Sequence, residues 1–278
     1  MKTQIKASFK KEFFAYFRTG KITIIACVLV ALAIFSPLMI SGMGALMEAM
    51  SDIYDELGVD VSIMTEILSA NTSTGVSSSV SDMTAGLIVL LLLLNSAAGG
   101  EQKKRTVIIP KSSGLQSLAY ILPKFIIYPL SAFVIAFISV LASYAVSLAV
   151  FEVNDLAFIG VLLSGVLSGV GFMFYTCFHL TLGTATGRAG MSAAICISAS
   201  IILSNIFAFT SMDYMFNPFA LNLLASSVLF KNAISAADAL DILATLLFAL
   251  GIMVLLYFIA LFAQNARRID NTGNEIDL

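Results

Sequence analysis

Residues able to do chemistry are scarce in this sequence. His179 is its one histidine, and three cysteines, Cys27, Cys177 and Cys196, lie far apart in apolar stretches. A disulfide framework or metal cluster needs such residues at paired, short spacings, so these cysteines are expected to be small buried residues. No GxxxxGK[ST] phosphate loop and no HExxH pair occurs. Nucleotide hydrolysis through such a loop is therefore not expected of this chain itself. A proton relay through His179 would need an acidic partner at the same depth. The apolar stretch around it holds none, so His179 is expected to pack rather than titrate.

Charge is scarce as well. The 278 residues include 15 basic and 17 acidic ones, 12% charged in all, while 59% are hydrophobic. A soluble domain carries roughly 25% charged residues, and the mean hydropathy here is +0.97. A soluble fold of this size has too little interior to bury that much apolar surface. Disorder, collagen and nucleic-acid binding are excluded on the same grounds. An all-α integral membrane protein is expected.

A helix needs roughly 20 apolar residues to cross the hydrocarbon core. Six stretches qualify, at 22–43, 83–100, 125–151, 156–182, 189–211 and 242–264. With that threading every lysine and arginine except Lys231 falls on one side. The positive-inside bias then puts both termini, including the tail 265–278, in the cytoplasm of a multi-pass plasma-membrane protein.

Four groups outside or along these spans are candidates for binding. In residues 1–21, Ile5, Phe9, Phe13 and Phe17 recur every fourth residue among lysines, the pattern of an amphipathic helix lying in the membrane interface. Residues 44–82 form an external acidic segment, closing with the polar linker NTSTGVSSSVS at 71–81. Between the second and third spans, residues 101–124 offer a short helix capped by Ser112 or Ser113, running through Leu115 and Leu118 and bracketed by Pro110 and Pro123. Such a rigid, partly apolar helix suits docking in another protein's groove. Within residues 213–240, the stretch from Asn217-Pro218 onward has apolar helical periodicity with little charge, so it is expected to re-enter the bundle as short helices. In the fourth span, Gly165-x-x-x-Gly169 suits close helix approach. Phe172, Tyr175 and Phe178 after it are candidate path-lining residues.

The order of these features resembles the type-2 membrane subunit of ATP-binding-cassette exporters, over essentially the whole chain. The matching pieces are the N-terminal helix, then Glu101 followed by a basic cluster through Arg105, Pro110 and Lys124, and the turn at Asn217-Pro218. Lys104-Arg105-Thr106 stands where members often have a glycine-threonine pair. The resemblance implies a separate ATPase subunit docking on residues 112–122, through Ser112, Leu115, Leu118 and Tyr120. Glu101, Arg105 and Pro110 would frame that helix. It also implies a second permease copy, identical or not, to complete the path, and a bacterial source. ATP and Mg would be bound by the ATPase partner, with no cofactor in this chain. Permeases of this kind export antimicrobial or toxin peptides, drugs or lipid-linked glycans. A largely apolar interior under an acidic external cap favours an amphipathic peptide. The competing expectation is a stand-alone ion- or proton-coupled carrier, which would want intramembrane charges or broken helices in matching halves.

Overall fold

A computed structural model describes residues 1–56, 71–103, 114–210, 217–230, 236–266, 268–269 and 275–276. Long apolar runs whose backbone groups can be satisfied only internally become helices. In order they are α1 (Lys2–Arg18), α2 (Lys21–Glu56), α3 (Thr72–Leu93), α4 (Ser117–Val150), α5 (Phe158–Thr186), α6 (Ala189–Thr210), α7 (Leu221–Val228) and α8 (Ala236–Ala266). Two two-residue strands, Arg268–Ile269 and Glu275–Ile276, pair antiparallel beyond α8.

Five of these helices, α2, α3, α4, α5 and α8, are long and apolar enough to cross a membrane. The stretch expected as a fifth span falls in α6, whose portion Ala189–Leu203 is a shorter apolar helix. α5 is the axis of the bundle, touching α3, α4, α6, α7 and α8. Its apolar window is 67% buried, against 28% for α2 and 22% for α8. Those two present their outer faces as a belt of Phe35, Leu38, Leu247, Val254 and Phe258, among others.

Three expectations are corrected. Residues 71–81 are not a linker, because α3 begins at Thr72, well before residue 83. Serine and glycine suit loops by composition, but in a bundle they allow close helix approach. A Cβ on Gly75 would stand 2.5 Å from the ring of Phe151, and Ser79 Oγ donates to Gly75 O (2.9 Å) and lies 2.8 Å from Ala33 O. Ser143 Oγ reaches the same hydroxyl from α4 at 2.7 Å. The start of α3 is held by the loop after α4. Asn71 Oδ1 accepts from Thr74 N–H at 3.0 Å, and Asp155 takes Ser73 N–H and Oγ–H at 2.9 and 2.6 Å.

The second correction concerns Pro123, which does not end a short helix. α4 runs from Ser117 through both Pro123 and Pro129 to Val150, so Leu118 and Tyr120 belong to its first turns. Cys27 is the third, being exposed on α2, whereas Cys177 and Cys196 are buried as expected. Gly165 and Gly169 seat rings of α4, and Gly169 also lets that helix's backbone close in, with Phe133 O 3.1 Å from where a Cβ would stand. A Cβ on either would meet Phe137 at 2.9 Å or Phe133 at 2.6 Å, both from α4.

Candidate functional site

The strongest concentration of charge lies where α1, the end of α3 and the start of α4 meet. After Leu93, α3 widens into a π turn, Ser96–Gly100, and then a short helical turn, Glu101–Lys103. The widening lets glycine cross glycine: a Cβ on Gly99 would sit 2.7 Å from Gly183 O, and one on Gly183 would sit 2.3 Å from Ala98 O. Glu101 is thereby placed against Lys124 of α4.

Lys124 is 1% exposed. Its ammonium lies 2.6 Å from Glu101 Oε2, 3.0 Å from Ala97 O, 3.2 Å from Tyr120 OH and 3.8 Å from Glu12 Oε1. Tyr120 OH donates to Glu101 Oε2 at 2.8 Å, and Lys11 Nζ reaches Glu101 Oε1 at 2.7 Å. Glu12 in turn accepts from Tyr128 OH at 2.7 Å, with Lys11 3.5 Å away. Two ammoniums thus face two carboxylates, and the phenols and a carbonyl take up further bonding positions. Burial alone would push the Glu101 carboxyl up, but Lys124 and Lys11 outweigh it and hold it at about 2. A buried charge persists only where partners of this kind replace water.

The cluster also anchors both flanks of residues 104–113. On one side Gln102 donates to Gln264 at the end of α8 (2.8 Å), and on the other Gln4 of α1 donates to Gly114 O (3.1 Å). Leu115 packs with Tyr120 and Ile121 against Ala260 and Tyr257 of α8. Of the expected docking residues, Glu101 and Tyr120 are brought into one network. Leu115 and Leu118 are half-buried beside it. Arg105, Pro110 and Ser112 lie outside the described residues. Tyr120 faces inward, 7% exposed, so its hydroxyl serves Glu101 and not an outer surface.

The aromatic stripe of α1 splits. Phe13, Phe14 and Phe17 are exposed, Ile5 and Phe9 are half-buried, and the innermost residues are Glu12 and Tyr16. Four residues turn a helix slightly past one revolution, so a stripe at that spacing precesses by about 40° per step. From Ile5 to Phe17 the drift carries it off the face that meets α4. Tyr16 packs edge-on to Tyr128 at 4.8 Å and accepts from Ser131 Oγ at 3.1 Å. Glu12, Tyr16 and Tyr128 carry no motif. The available signal was a lone carboxylate among lysines at Glu12, which only a counter-charge from another helix makes meaningful.

On another side of α5, Asn217 Oδ1 accepts from Phe219 N–H at 3.1 Å and starts a single turn, Pro218–Ala220, that leads into α7. Phe219 meets the rings of Phe174, Tyr175 and Phe178 at centroid distances of 4.9, 5.7 and 5.6 Å. Tyr175 OH donates to Phe219 O at 3.1 Å. α7 is thus clamped at the level of the middle of α5. Of the candidate path residues, Tyr175 lines a cleft of about 320 Å³ beside α7, Phe178 belongs to the clamp, and Phe172 is wholly enclosed.

His179 is tied to α6. Ser192 Oγ–H donates to His179 O at 2.7 Å, and the same Ser192 hydroxyl lies 2.7 Å from His179 Nδ1. These contacts join α5 to α6. Among the described residues, no three His, Cys, Asp or Glu side chains converge as a metal site.

No protein-family model matches this chain, and no curated protein matches it.

Proposed function

We propose that this chain is the membrane permease subunit of an ATP-driven exporter. A separate cytoplasmic ATPase subunit docks on residues 101–124, and a second permease copy completes the path. The observation carrying this reading is the ion network at Glu101 and Lys124. These residues bound the segment expected to receive the ATPase, and one salt bridge of 2.6 Å joins them. Lys11 and Glu12 extend the network to α1, and Gln102 extends it to α8. A displacement applied between residues 103 and 114 would be passed to four helices as one body, because buried ion pairs are costly to break.

The same reading takes six spans with both termini in the cytoplasm, in the plasma membrane of a bacterium. The cargo is an amphipathic peptide of antimicrobial or toxin type, drawn toward an acidic external segment. ATP and Mg belong to the ATPase partner.

Reconstituted vesicles test it. A fluorescent cationic amphipathic peptide should be moved only when ATP and the co-purifying ATPase are present. Leu115→Asp and Leu118→Asp should leave ATP hydrolysis running while peptide transport falls at least tenfold. Movement that follows a proton gradient and ignores ATP would overturn the exporter reading in favour of a stand-alone carrier. Full coupling in both variants would overturn the docking assignment.

A further inference from the structure

We infer that Asp82, on α3, is the acceptor of a binding site for a primary ammonium carried on an apolar body. In the sequence this residue closes an acidic external segment, but the fold carries it inside the membrane-length stretch Thr72–Gly100. Ser36 Oγ–H of α2 donates to Asp82 Oδ2 at 2.5 Å, which fixes the depth of the carboxylate. Ser36 stands about 22 Å along α2 from Lys21, at 1.5 Å per residue. With Lys21 at one boundary of a hydrocarbon core roughly 30 Å thick, Asp82 lies about 8 Å inside the other.

An ionisable side chain at that depth is costly and ordinarily pairs with an opposite charge. Among the described residues no lysine or arginine pairs with Asp82. Its Oδ1 takes no hydrogen bond among them either. The side chain is exposed, so a counter-charge from outside the chain can reach it.

The surroundings indicate what that counter-charge is. Ser78 Oγ lies 2.9 Å from Ser36 Oγ, so two hydroxyls stand beside the carboxylate. An ammonium has three N–H donors and no acceptor, which matches an open carboxylate oxygen next to hydroxyl oxygens. Toward Leu93 the exposed face of α3 turns apolar, through Ala85, Ile88 and Leu92. These residues follow Ser78 and Asp82 at steps of three or four and so continue one stripe of the helix. A cationic amphiphile fits that order, with its head on Asp82 and its apolar body along the stripe. A lysine of an amphipathic peptide supplies such a head. Its identification with cargo rests on the exporter reading, whereas the ammonium site itself does not.

The test uses the full chain in phosphatidylcholine nanodiscs, whose headgroups carry no N–H, without nucleotide or ATPase. Hexylammonium is titrated calorimetrically, with empty discs as the reference. Saturable binding is expected, about tenfold tighter than for hexyltrimethylammonium, which keeps the charge and loses the charge-assisted hydrogen bonds. Asp82→Asn should weaken it by about tenfold or more, and Asp82→Glu should restore it. A lysine-leucine amphipathic peptide should displace the probe, and its lysine-acetylated form should not. In the unaltered chain, hexylammonium should slow labelling of Asp82 by dicyclohexylcarbodiimide more than the quaternary probe does. Absence of saturable binding, equal binding by Asp82→Asn, or equal protection by the quaternary probe would reduce Asp82 to a solvated carboxylate and overturn the inference. Loss of hexylammonium binding when phosphatidylethanolamine is added to the discs would assign the site to lipid and overturn the peptide source. Ammonium binding together with ATP-independent transport would overturn the exporter reading alone. ATP-driven peptide transport without ammonium binding would overturn only the Asp82 site.

Discussion

Lys124 shows what a single residue does in this bundle. An ammonium with 1% exposure is tolerable because Glu101, Glu12, Tyr120 and Ala97 O surround it. Removing it by Lys124→Met leaves two carboxylates with only the half-exposed Lys11 between them. A loss of about 3–5 kcal/mol is expected, measured as a fall in unfolding free energy in detergent. Adding Glu101→Gln to the same variant should recover part of that loss, because one orphaned charge goes with it. Acid should act through Glu101. Its folded carboxyl is depressed from 4.5 to about 2, so the folded state holds this proton less tightly than the unfolded chain. The stabilisation is complete above pH 4.5 and drains as pH falls from there through 2. Thermal unfolding midpoints from pH 6 to 2 should therefore drop in the wild type and drop less in Glu101→Gln. Asn222 is the complementary case, a buried polar group with no partner where Lys124 has several.

Among the elements, α3 decides how the bundle closes. Its first turn is fastened by Asn71 and by Asp155 from the loop after α4. Asn71→Ala should remove that cap and lower stability by about 1 kcal/mol, with hydrogen exchange accelerating first in residues 72–76. At its far end, the π turn and Gly183 of α5 pass at van der Waals distance. A methyl on Gly183 would collide with Ala98 O at 2.3 Å, and backbone cannot swing aside as a side chain can. Gly183→Ala should therefore destabilise by about 1–3 kcal/mol. If α3 and α5 moved apart without loss, unfolding in detergent would show the variant equal to wild type. α3 was also the element least legible in the sequence, because the same serines and glycines mark both linkers and close helix contacts. Only their neighbours on α2 and α4 distinguish the two uses.

Across the whole molecule, the exposed rings of α1 continue the apolar belt of α2 and α8. Phe13 and Phe17 stack at 4.2 Å on the side away from α4, as an interfacial helix presents aromatics to lipid. The chain has no tryptophan, so Phe13→Trp introduces a unique probe. Its emission should be quenched by brominated lipid and shielded from aqueous iodide. The reverse pattern would place α1 off the membrane. Threading is open to a similar test in a background free of native cysteines. Thr3→Cys and Asn274→Cys should react with an impermeant maleimide from one side only, and Asp60→Cys from the other.

The class of this protein was legible in the sequence because hydropathy is a property of each residue, summed over a local window. Run length and charge scarcity were enough for an all-helical chain with membrane-length helices. The positions of Glu101 and Lys124 at the borders of one segment were legible in the same way. Tertiary structure alone decided which polar groups are satisfied. Glu12 meets Tyr128 from 116 residues away, and Lys11 meets Glu101 from 90. It also decided that residues 71–81 are helix, that the α1 stripe turns away from the bundle, and that Asn222 is buried against Gly171 without a hydrogen-bond partner. Bonding between polar groups is pairwise and directional, and no local window contains both members of these pairs.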